Sequence, residues 1–294
     1  MKILNINTFP LNDHSARIDD MLYLADNFTS TDAQQRELHM NDPIQVSMAL
    51  VFLCIDGYID FQINLKDYHL TPQHVATIPV NSFVIFKDFP LSFRGFLVAI
   101  NPDFMDYSRD NKLGMAFMNN TSMDIIGFMP EQNMQEAIML YKMMKTKLQD
   151  RDYIFKTECV KSILEILKYN GYQAMLHQKQ MKPDNLIRSR KDEIYYMFTK
   201  LVNKYYREER QIAFYADRLN VTPKYLSTIV KQVSGKFATE WIDDFVILEA
   251  KAILKNETVG MKTICARLNF ASPSLFTKYF KQHTGLTPKE YRNS

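Results

Sequence analysis

Apolar positions in the last third of the chain recur with helical spacing, and they do so twice. Residues 223–233 carry apolar side chains at relative positions i, i+1, i+4 and i+5, with polar and basic side chains between them. This spacing predicts an amphipathic helix with one buried stripe. Residues 273–283 repeat the pattern. The predicted buried stripes are Tyr225, Leu226, Ile229 and Val230 in the first helix and Leu275, Phe276, Tyr279 and Phe280 in the second.

Start and stop signals flank both predicted helices. Thr222 and Ser272 are good N-cap residues, because a hydroxyl oxygen can accept a backbone N–H that has no helical partner. A proline follows each cap, at a position where its missing N–H costs nothing. Gly235 and Gly285 are the expected left-handed stops. The two segments therefore predict helices that begin and end in the same way.

The two helices belong to a longer internal repeat. Residues 222–241 match residues 272–291 at a constant offset of 50, and residues 218–220 match residues 267–269 at an offset of 49, so Ala271 is the extra residue. Each copy predicts a short helix, a tight turn and a second helix. In a helix-turn-helix unit the second helix enters the major groove of DNA. Capped helix pairs also occur in helical bundles, but two copies with polar and basic outward faces favour DNA binding.

A specific motif ends the second copy. It runs Phe280-Lys281-Gln-His-Thr-Gly285-Leu-Thr287-Pro288-Lys-Glu-Tyr291-Arg292. With the repeat, it makes residues 212–292 resemble the DNA-binding domain of the AraC/XylS transcription regulators. The resemblance implies two helix-turn-helix units joined by a long central helix, near Thr239–Lys255, that bind two adjacent major-groove segments as one rigid body. Val246 departs from the family, since many members have a basic residue there.

The resemblance also implies which side chains touch DNA. The base-reading candidates are Lys224, Ser227 and Thr228 in the first unit and Ser274, Thr277 and Lys278 in the second. The phosphate-contact candidates, which would fix register without specifying sequence, are Thr222, Lys231, Ser272 and Lys281. The charge distribution agrees: residues 188–294 hold 19 Lys and Arg against 11 Asp and Glu, whereas residues 1–187 hold 17 against 22.

The first hundred residues follow a strand pattern instead. Val46–Ile55 and Tyr58–Asn64, joined by Asp56-Gly57, predict a β-hairpin. Further short strands are predicted at Tyr68–Leu70, Val75–Pro79, Ser82–Lys87 and Leu91–Ile100. Closely spaced strands without intervening helices predict a small all-β barrel or sandwich. Residues 63–83 resemble the cupin-like sensor barrel that often precedes this DNA-binding domain.

Two functions compete for the predicted barrel. A metal-dependent cupin-type enzyme needs several convergent ligands, but His69 and His74 stand five apart and no glutamate lies between Glu37 and Glu131. A ligand-sensing or purely structural barrel is favoured, without a metal. The candidates for an apolar ligand pocket with an anion-binding group are Phe61, Phe83, Phe86 and Arg94, although such aromatic residues are more often core.

Between these parts the sequence predicts helices and a linker. Glu131–Leu148 and Tyr153–Leu176 have helical patterns, and they either pair two subunits or cap the barrel. The polar, proline-interrupted residues 179–187 predict a linker. The predicted division is therefore a sensor barrel at 1–130, a helical segment at 131–178, the linker, and a DNA-binding domain at 188–294 that opens with the helix Lys191–Tyr206.

Composition and missing motifs complete the prediction. The 294 residues are enough for two ordinary cores. The three cysteines, far apart in sequence, are expected to be buried thiols. The first residues are too polar for a signal peptide and the longest apolar stretch is too short for a bilayer, so we expect a cytoplasmic protein. Neither a phosphate loop nor a nucleophile elbow occurs, so neither catalysis nor a cofactor is expected.

Together these features predict a two-domain α+β chain, with a cupin-like β-barrel and flanking helices before an all-α tandem helix-turn-helix domain. The predicted function is a one-component, sequence-specific transcription regulator, with a metal-dependent cupin-type enzyme as the alternative. Promoter DNA and RNA polymerase are the expected partners, and a small-molecule effector and a homodimer stay open.

Overall fold

The computed structural model describes residues 3–9, 11–26, 41–80, 82–104, 125–178 and 190–293, which form eleven strands, nine α-helices and two short 3-10 helices. The strands are Ile3–Leu4 (β1), Ser15–Ile18 (β2), Leu22–Ala25 (β3), Ile44–Val46 (β4), Ala49–Asp56 (β5), Ile59–Ile63 (β6), Lys66–Leu70 (β7), His74–Ile78 (β8), Phe83–Asp88 (β9), Arg94–Ile100 (β10) and Ile126–Phe128 (β11). The helices are Glu131–Gln149 (α1), Lys156–Gln178 (α2), Arg190–Tyr205 (α3), Ile212–Arg218 (α4), Pro223–Ser234 (α5), Ala238–Asn256 (α6), Met261–Arg267 (α7), Pro273–Thr284 (α8) and Pro288–Asn293 (α9).

The strands pair into two separate sheets. One has five strands in the order β1-β4-β9-β6-β7, and the other has six in the order β11-β8-β5-β10-β3-β2. Aromatic and aliphatic side chains from both sheets fill the core between them, including Phe52, Phe61 and Phe86. In the described residues the strands therefore stack as two sheets and do not close into one ring. The N-terminal half is β-rich and the C-terminal part helical, as the sequence predicts.

The predicted hairpin at Asp56-Gly57 is wrong. β5 pairs with β8 and β10, whereas the following strand β6 pairs with β7 and β9, so the turn carries the chain from one sheet to the other. Gly57 has φ +76° and lies so close to Phe93 that a Cβ there would stand 2.8 Å from the Phe93 Cα. The Asp-Gly signal therefore located a turn correctly but not the strands that pair across it.

A hairpin does form one strand later along the chain, between β6 and β7. Its two turn residues, Asn64 and Leu65, have φ values of +48° and +69°. Positive φ at both central positions matches the right-handed twist of paired strands. Ile59 pairs with Leu70 and Ile63 with Lys66. The tip of this hairpin presents Leu65 toward the C-terminal part of the chain.

Helices α1 and α2 cover the outer face of the six-stranded sheet. Tyr141 and Met144 of α1 and Val160 and Ile163 of α2 pack in one cluster with Leu22 and other residues of that sheet. Lys145 extends this contact, since its Nζ donates to an Asp26 carboxylate oxygen at 2.8 Å. The two helices thus cap the sheets, one of the two roles that the sequence left open.

The outer face of the five-stranded sheet packs against the C-terminal helices. Side chains alternate along a strand, so Val84 and Phe86 of β9 point into the core between the sheets. Phe83 and Ile85 point the other way, and Phe83 is buried among residues of α3 and α6. The two parts of the chain therefore share an apolar contact in addition to their covalent link.

The C-terminal helices form two neighbouring cores that share α6. The first gathers residues of α3, α4 and α5, and the second gathers residues of α7 and α8. Phe245 and Val246 of α6 face the first core, and Ile247 and Ile253 face the second. Buried residues on both sides explain why α6 is continuous over 19 residues.

The predicted burial of the three cysteines is confirmed at two of them. Cys54 and Cys265 are buried as expected, and burial raises the pKa of the Cys54 thiol to about 12, but Cys159 is only half-buried. The predicted linker 179–187 lies outside the described residues. Among the residues that the structure describes, none of the helices combines the length and apolar composition needed to cross a membrane.

Candidate nucleic-acid interface

Helices α5 and α8 begin and end as the sequence predicts. The Thr222 hydroxyl oxygen accepts the Tyr225 N–H at 3.2 Å, and the Ser272 hydroxyl oxygen accepts the Leu275 N–H at 3.3 Å. Gly235 and Gly285 follow the two helices, and both have φ +78°. Each helix has 12 residues. The two units therefore present helices of the same length with the same capping chemistry.

The buried face is closely similar in the two helices. Leu226, Ile229 and Val230 of α5 are buried, as are Phe276 and Phe280 of α8. The two faces differ at one position, since Tyr279 is half-buried where the equivalent Ile229 is buried, and Tyr279 packs against both cores. These side chains fix the rotation of each helix about its own axis, so the positions left outside are also equivalent.

The predicted apolar stripe is wrong at its first position in each helix. Tyr225 is 43% exposed and Leu275 is 54% exposed. Each residue follows the outward-facing Lys224 or Ser274 by a rotation of about 100° around the helix, which places it at the edge of the outer face. Because they occupy the same repeat position, one large apolar side chain stands beside the polar face of each helix.

The six base-reading candidates lie on the outer faces of α5 and α8. Lys224, Thr228, Ser274 and Lys278 are exposed, and Ser227 and Thr277 are half-buried. The two units therefore agree at all three repeat positions, with the first and third exposed and the second half-buried. The Thr228 hydroxyl donates to the Lys224 carbonyl oxygen at 2.9 Å, so the hydroxyl proton is already engaged.

The four phosphate-contact candidates lie at the two ends of these helices. Thr222 and Ser272 are the N-caps, and Lys231 and Lys281 stand exposed in the last turns. The Lys231 ammonium lies 4.0 Å from the centre of the Phe237 ring, a cation–π distance. Beside it, an open groove of about 410 Å³ is lined by Ser227, Thr228, Lys231, Gln232 and Phe237.

Val246, the position where many family members are basic, is fully buried in the first C-terminal core. A charged side chain would have no solvent there. The preceding residue, Phe245, packs against the N-terminal Phe83. Phe245 and Val246, near the middle of α6, therefore form part of the apolar core.

The structure separates the four ligand-pocket candidates of the N-terminal part. Phe61 and Phe86 lie together in the core between the sheets, with ring centres 6.4 Å apart. Phe83 faces the C-terminal helices, and Arg94 is exposed at the start of β10. The four side chains do not line one space.

The two histidines considered as metal ligands also lie on different sheets. His69, on β7, contacts the Asp60 carboxylate at 2.5 Å. His74, on β8, contacts the Pro72 carbonyl oxygen at 3.0 Å and the Thr71 hydroxyl at 3.2 Å. In the part of the chain described by the structure, no three side chains of His, Cys, Asp or Glu gather as a group that could hold a metal ion.

Comparison with known proteins agrees with this arrangement. A family described as a helix-turn-helix domain matches residues 215–294. The chain is 28% identical over 120 residues to the uncharacterized HTH-type transcriptional regulator YisR of Bacillus subtilis, covering 41% of each protein. It is 30% identical over 81 residues to the arabinose operon regulatory protein of Escherichia coli, covering 28% of each.

Among solved structures, fatty-acid-bound ToxT of Vibrio cholerae aligns with a TM-score of 0.45 at 16% identity, covering 96% of each chain. The matched stretches span less than half of the length of the curated relatives. The family match covers the C-terminal helices, where the repeat and the capped helices lie. The C-terminal part of this chain is therefore an AraC-type helix-turn-helix domain.

Proposed function

We propose that the chain is a sequence-specific, DNA-binding transcription regulator, and that α5 and α8 enter two adjacent major-groove segments of promoter DNA. The observation that carries the proposal is that one surface occurs twice. Both helices have the same length, a hydroxyl cap, closely similar buried faces and the same exposed positions. The major groove is wide enough for an α-helix and carries a distinct pattern of donors and acceptors for each base pair.

The six outer-face residues supply base-reading chemistry. Lys224 and Lys278 can donate to the O6 and N7 acceptors of guanine, and hydroxyl groups can pair with any base. Ser227, Ser274 and Thr277 can act in this way. Thr228 differs, because its hydroxyl proton is bonded to the Lys224 carbonyl oxygen and its methyl group is the part best placed to meet a thymine methyl.

The positions at the helix ends supply phosphate contacts. The Thr222 and Ser272 hydroxyl oxygens accept backbone N–H groups, so their own O–H groups stay available to donate to phosphate. The positive end of the helix dipole at the same place also favours an anion. Lys231 and Lys281 add point charges that would fix the register of each helix on the duplex.

Tyr225 and Leu275 extend this surface with an apolar contact that the sequence pattern did not reveal. Both side chains are exposed beside the polar face. We infer that they pack against thymine methyl groups or deoxyribose at the edge of the groove. The signal that identifies them is their equivalence in the repeat, since both positions hold a large apolar residue although neither is needed by the cores.

The N-terminal part is proposed to be a cupin-like sensor domain that modulates DNA binding. Support comes from the contact of Phe83 with α6, the helix that both C-terminal cores share. A ligand or a partner subunit that favours one arrangement of the sheets can therefore act on the helices that hold α5 and α8. A small-molecule effector, a homodimer formed through α1 and α2, and contact with RNA polymerase belong to this proposal.

The test uses the full-length protein and a random library of DNA duplexes. The proposal expects enrichment of one sequence with two conserved segments. It also expects binding of the enriched duplex at least about 1,000-fold tighter than that of a scrambled one. Affinity should fall steeply between about 50 and 200 mM salt, because bound lysines release counterions from phosphates. Enrichment of no sequence, or equal affinity for both duplexes, would contradict sequence-specific recognition.

A further inference from the structure

Two helix-turn-helix units on one chain can bind as a unit only if their relative orientation is fixed. The shared helix α6 provides one connection, since both cores pack on it. A single helix still leaves the second unit free to swing by bending. The structure holds a second, independent connection, and it lies at the turn between α7 and α8.

Arg210 makes this second connection. It stands in the segment between α3 and α4, before the first unit. Its guanidinium Nη1 donates to the Asn269 carbonyl oxygen at 3.2 Å, and its Nη2 donates to the Leu268 carbonyl oxygen. The guanidinium carbon lies 4.0 Å from the centre of the Phe270 ring. All three of these residues belong to the turn of the second unit.

The turn of the second unit also donates a hydrogen bond in the opposite direction. The Asn269 side-chain amide donates to the Glu208 carbonyl oxygen at 3.0 Å. Asn269 also has φ +51°, the left-handed conformation that the tight turn requires. The segment 208–210 and the turn of the second unit are therefore joined by hydrogen bonds in both directions.

A third contact ties the recognition helix of the second unit to the first half of α6. The Tyr279 hydroxyl of α8 donates to the Asp243 carboxylate at 2.7 Å. Burial, together with this bond, raises the pKa of Tyr279, so the hydroxyl remains a donor at neutral pH. Phe270 and Tyr279 each pack against both C-terminal cores.

We propose that Arg210 is a positioning residue that fixes the spacing and angle between α5 and α8, so that both helices reach their groove segments together. The guanidinium is suited to this role because its planar fork places two donors in a fixed geometry and stacks on an aromatic ring. A lysine could keep the charge but not the fork. This inference rests on the proposed function, because it assumes that both helices contact one duplex.

The test compares the full-length protein with Arg210→Ala on the duplex enriched by the wild type and on two derivatives with one and two base pairs inserted between its segments. The wild type should lose affinity steeply with each insertion, because the second segment turns away from α8. Arg210→Ala should bind the parent duplex about tenfold more weakly and should lose much less on insertion. Arg210→Lys should behave like the alanine variant, although it keeps the positive charge.

The repeat offers a matched pair of controls. Asn269 and Asn220 occupy equivalent turns with φ values of +51° and +52°. Glycine relieves the left-handed strain equally at both positions, but only Asn269→Gly also removes the bond to Glu208. Asn269→Gly should therefore weaken the insertion penalty, and Asn220→Gly should keep the wild-type penalty.

Three results would overturn the inference while leaving the proposed function intact. Arg210→Ala could match the wild type on every duplex. It could weaken binding to all duplexes by one common factor, which would mark a phosphate contact. Arg210→Lys could restore wild-type behaviour, which would assign the effect to charge. A wild-type protein that protects only one segment, or none, would instead contradict the proposed function and remove the basis of the inference.

Discussion

The Phe83 ring of the N-terminal sheet meets the Phe245 ring of α6 edge-on, with ring centres 6.1 Å apart and planes at 77°. Phe83 also meets Tyr206 at 6.4 Å and is only 1% exposed. A single residue of β9 is thus enclosed by helices of the DNA-binding part. Because α6 belongs to both C-terminal cores, this contact connects the sheets to the helix that packs against both α4–α5 and α7–α8.

Phe83→Ala is expected to loosen the two parts from each other. Trp241, the only tryptophan in the sequence, stacks on Phe245, with the two ring centres 6.1 Å apart. Its fluorescence should therefore shift to longer wavelength in the variant as water gains access. Phe52→Ala is the matched control, since Phe52 is equally buried but lies in the core between the sheets. Identical spectra for both variants would contradict the contact.

Substituting alanine for Gly285 and for Gly171 should change the stability in opposite directions. Gly285 has φ +78° and open space around it, so Gly285→Ala carries only the cost of left-handed backbone, about 1 kcal/mol. Gly171 lies inside α2, also with open space around a Cβ, and Gly171→Ala should stabilise the protein by about 0.5–1 kcal/mol. Thermal unfolding of the two variants should shift in opposite directions. A shift in the same direction would show that one backbone assignment is wrong.

Substitutions of Arg207 and Glu249 should have non-additive effects on the free energy of unfolding. Glu249 is only 3% exposed, and the Arg207 Nε–H lies 2.9 and 2.8 Å from its two carboxylate oxygens. Arg207→Met leaves a buried carboxylate without its partner and should lower the free energy of unfolding by about 3 kcal/mol. This value is the low end of the range for breaking a buried ion pair, because the Arg207 side chain is itself half-exposed. The double variant with Glu249→Met should recover most of this loss in urea unfolding. A double variant less stable than the single one would argue against the pair.

Lys278→Ala should weaken binding to the enriched duplex by about tenfold, the loss of one good base contact. Lys289→Ala is the control, because it removes the same charge from α9, outside the two recognition helices. Titration of both variants by mobility shift measures the difference. Equal losses would mean that Lys278 acts only through its charge.

Thr277→Val should change which base is preferred and leave the salt dependence as it is. The substitution keeps the size of the side chain and removes its hydroxyl, which is proposed to pair with a base edge. Repeating the library selection with the variant measures the preference directly. An unchanged enriched sequence would remove Thr277 from the base-reading set.

The sequence located α5 and α8 well because their signals are local. An N-cap hydroxyl, a proline in the first turn and a left-handed glycine act within a few residues of the helix ends. The strands β7 to β10 were also placed to within a few residues, since their alternation is local too. Local signals could not identify partners, and the Asp56-Gly57 turn was therefore assigned to the wrong pair of strands.

The contacts between Arg210 and the turn of the second unit could not be predicted from the sequence, because local signals do not identify distant partners. Arg210 and the turn that it contacts are 58 to 60 positions apart, and an arginine before a helix carries no distinguishing pattern. Tyr225 was assigned to the buried stripe because it is next to Leu226 in the chain, and helical spacing alone does not show which edge of the stripe is buried. Only the packing of the cores shows which side of each helix remains outside.

Mapping both recognition helices on one duplex tests the central claim most directly. A cleavage reagent would be attached at Gln232→Cys or at Gln282→Cys, exposed and equivalent positions of α5 and α8 outside the base-reading set. The half-buried Cys159 would be replaced by serine, and cut positions would be read on the enriched duplex. The two attachment sites should cut at positions about 10 base pairs apart, one turn of the double helix, on the same face. Cleavage at a single shared position, or scattered cleavage from either site, would contradict binding through paired helices.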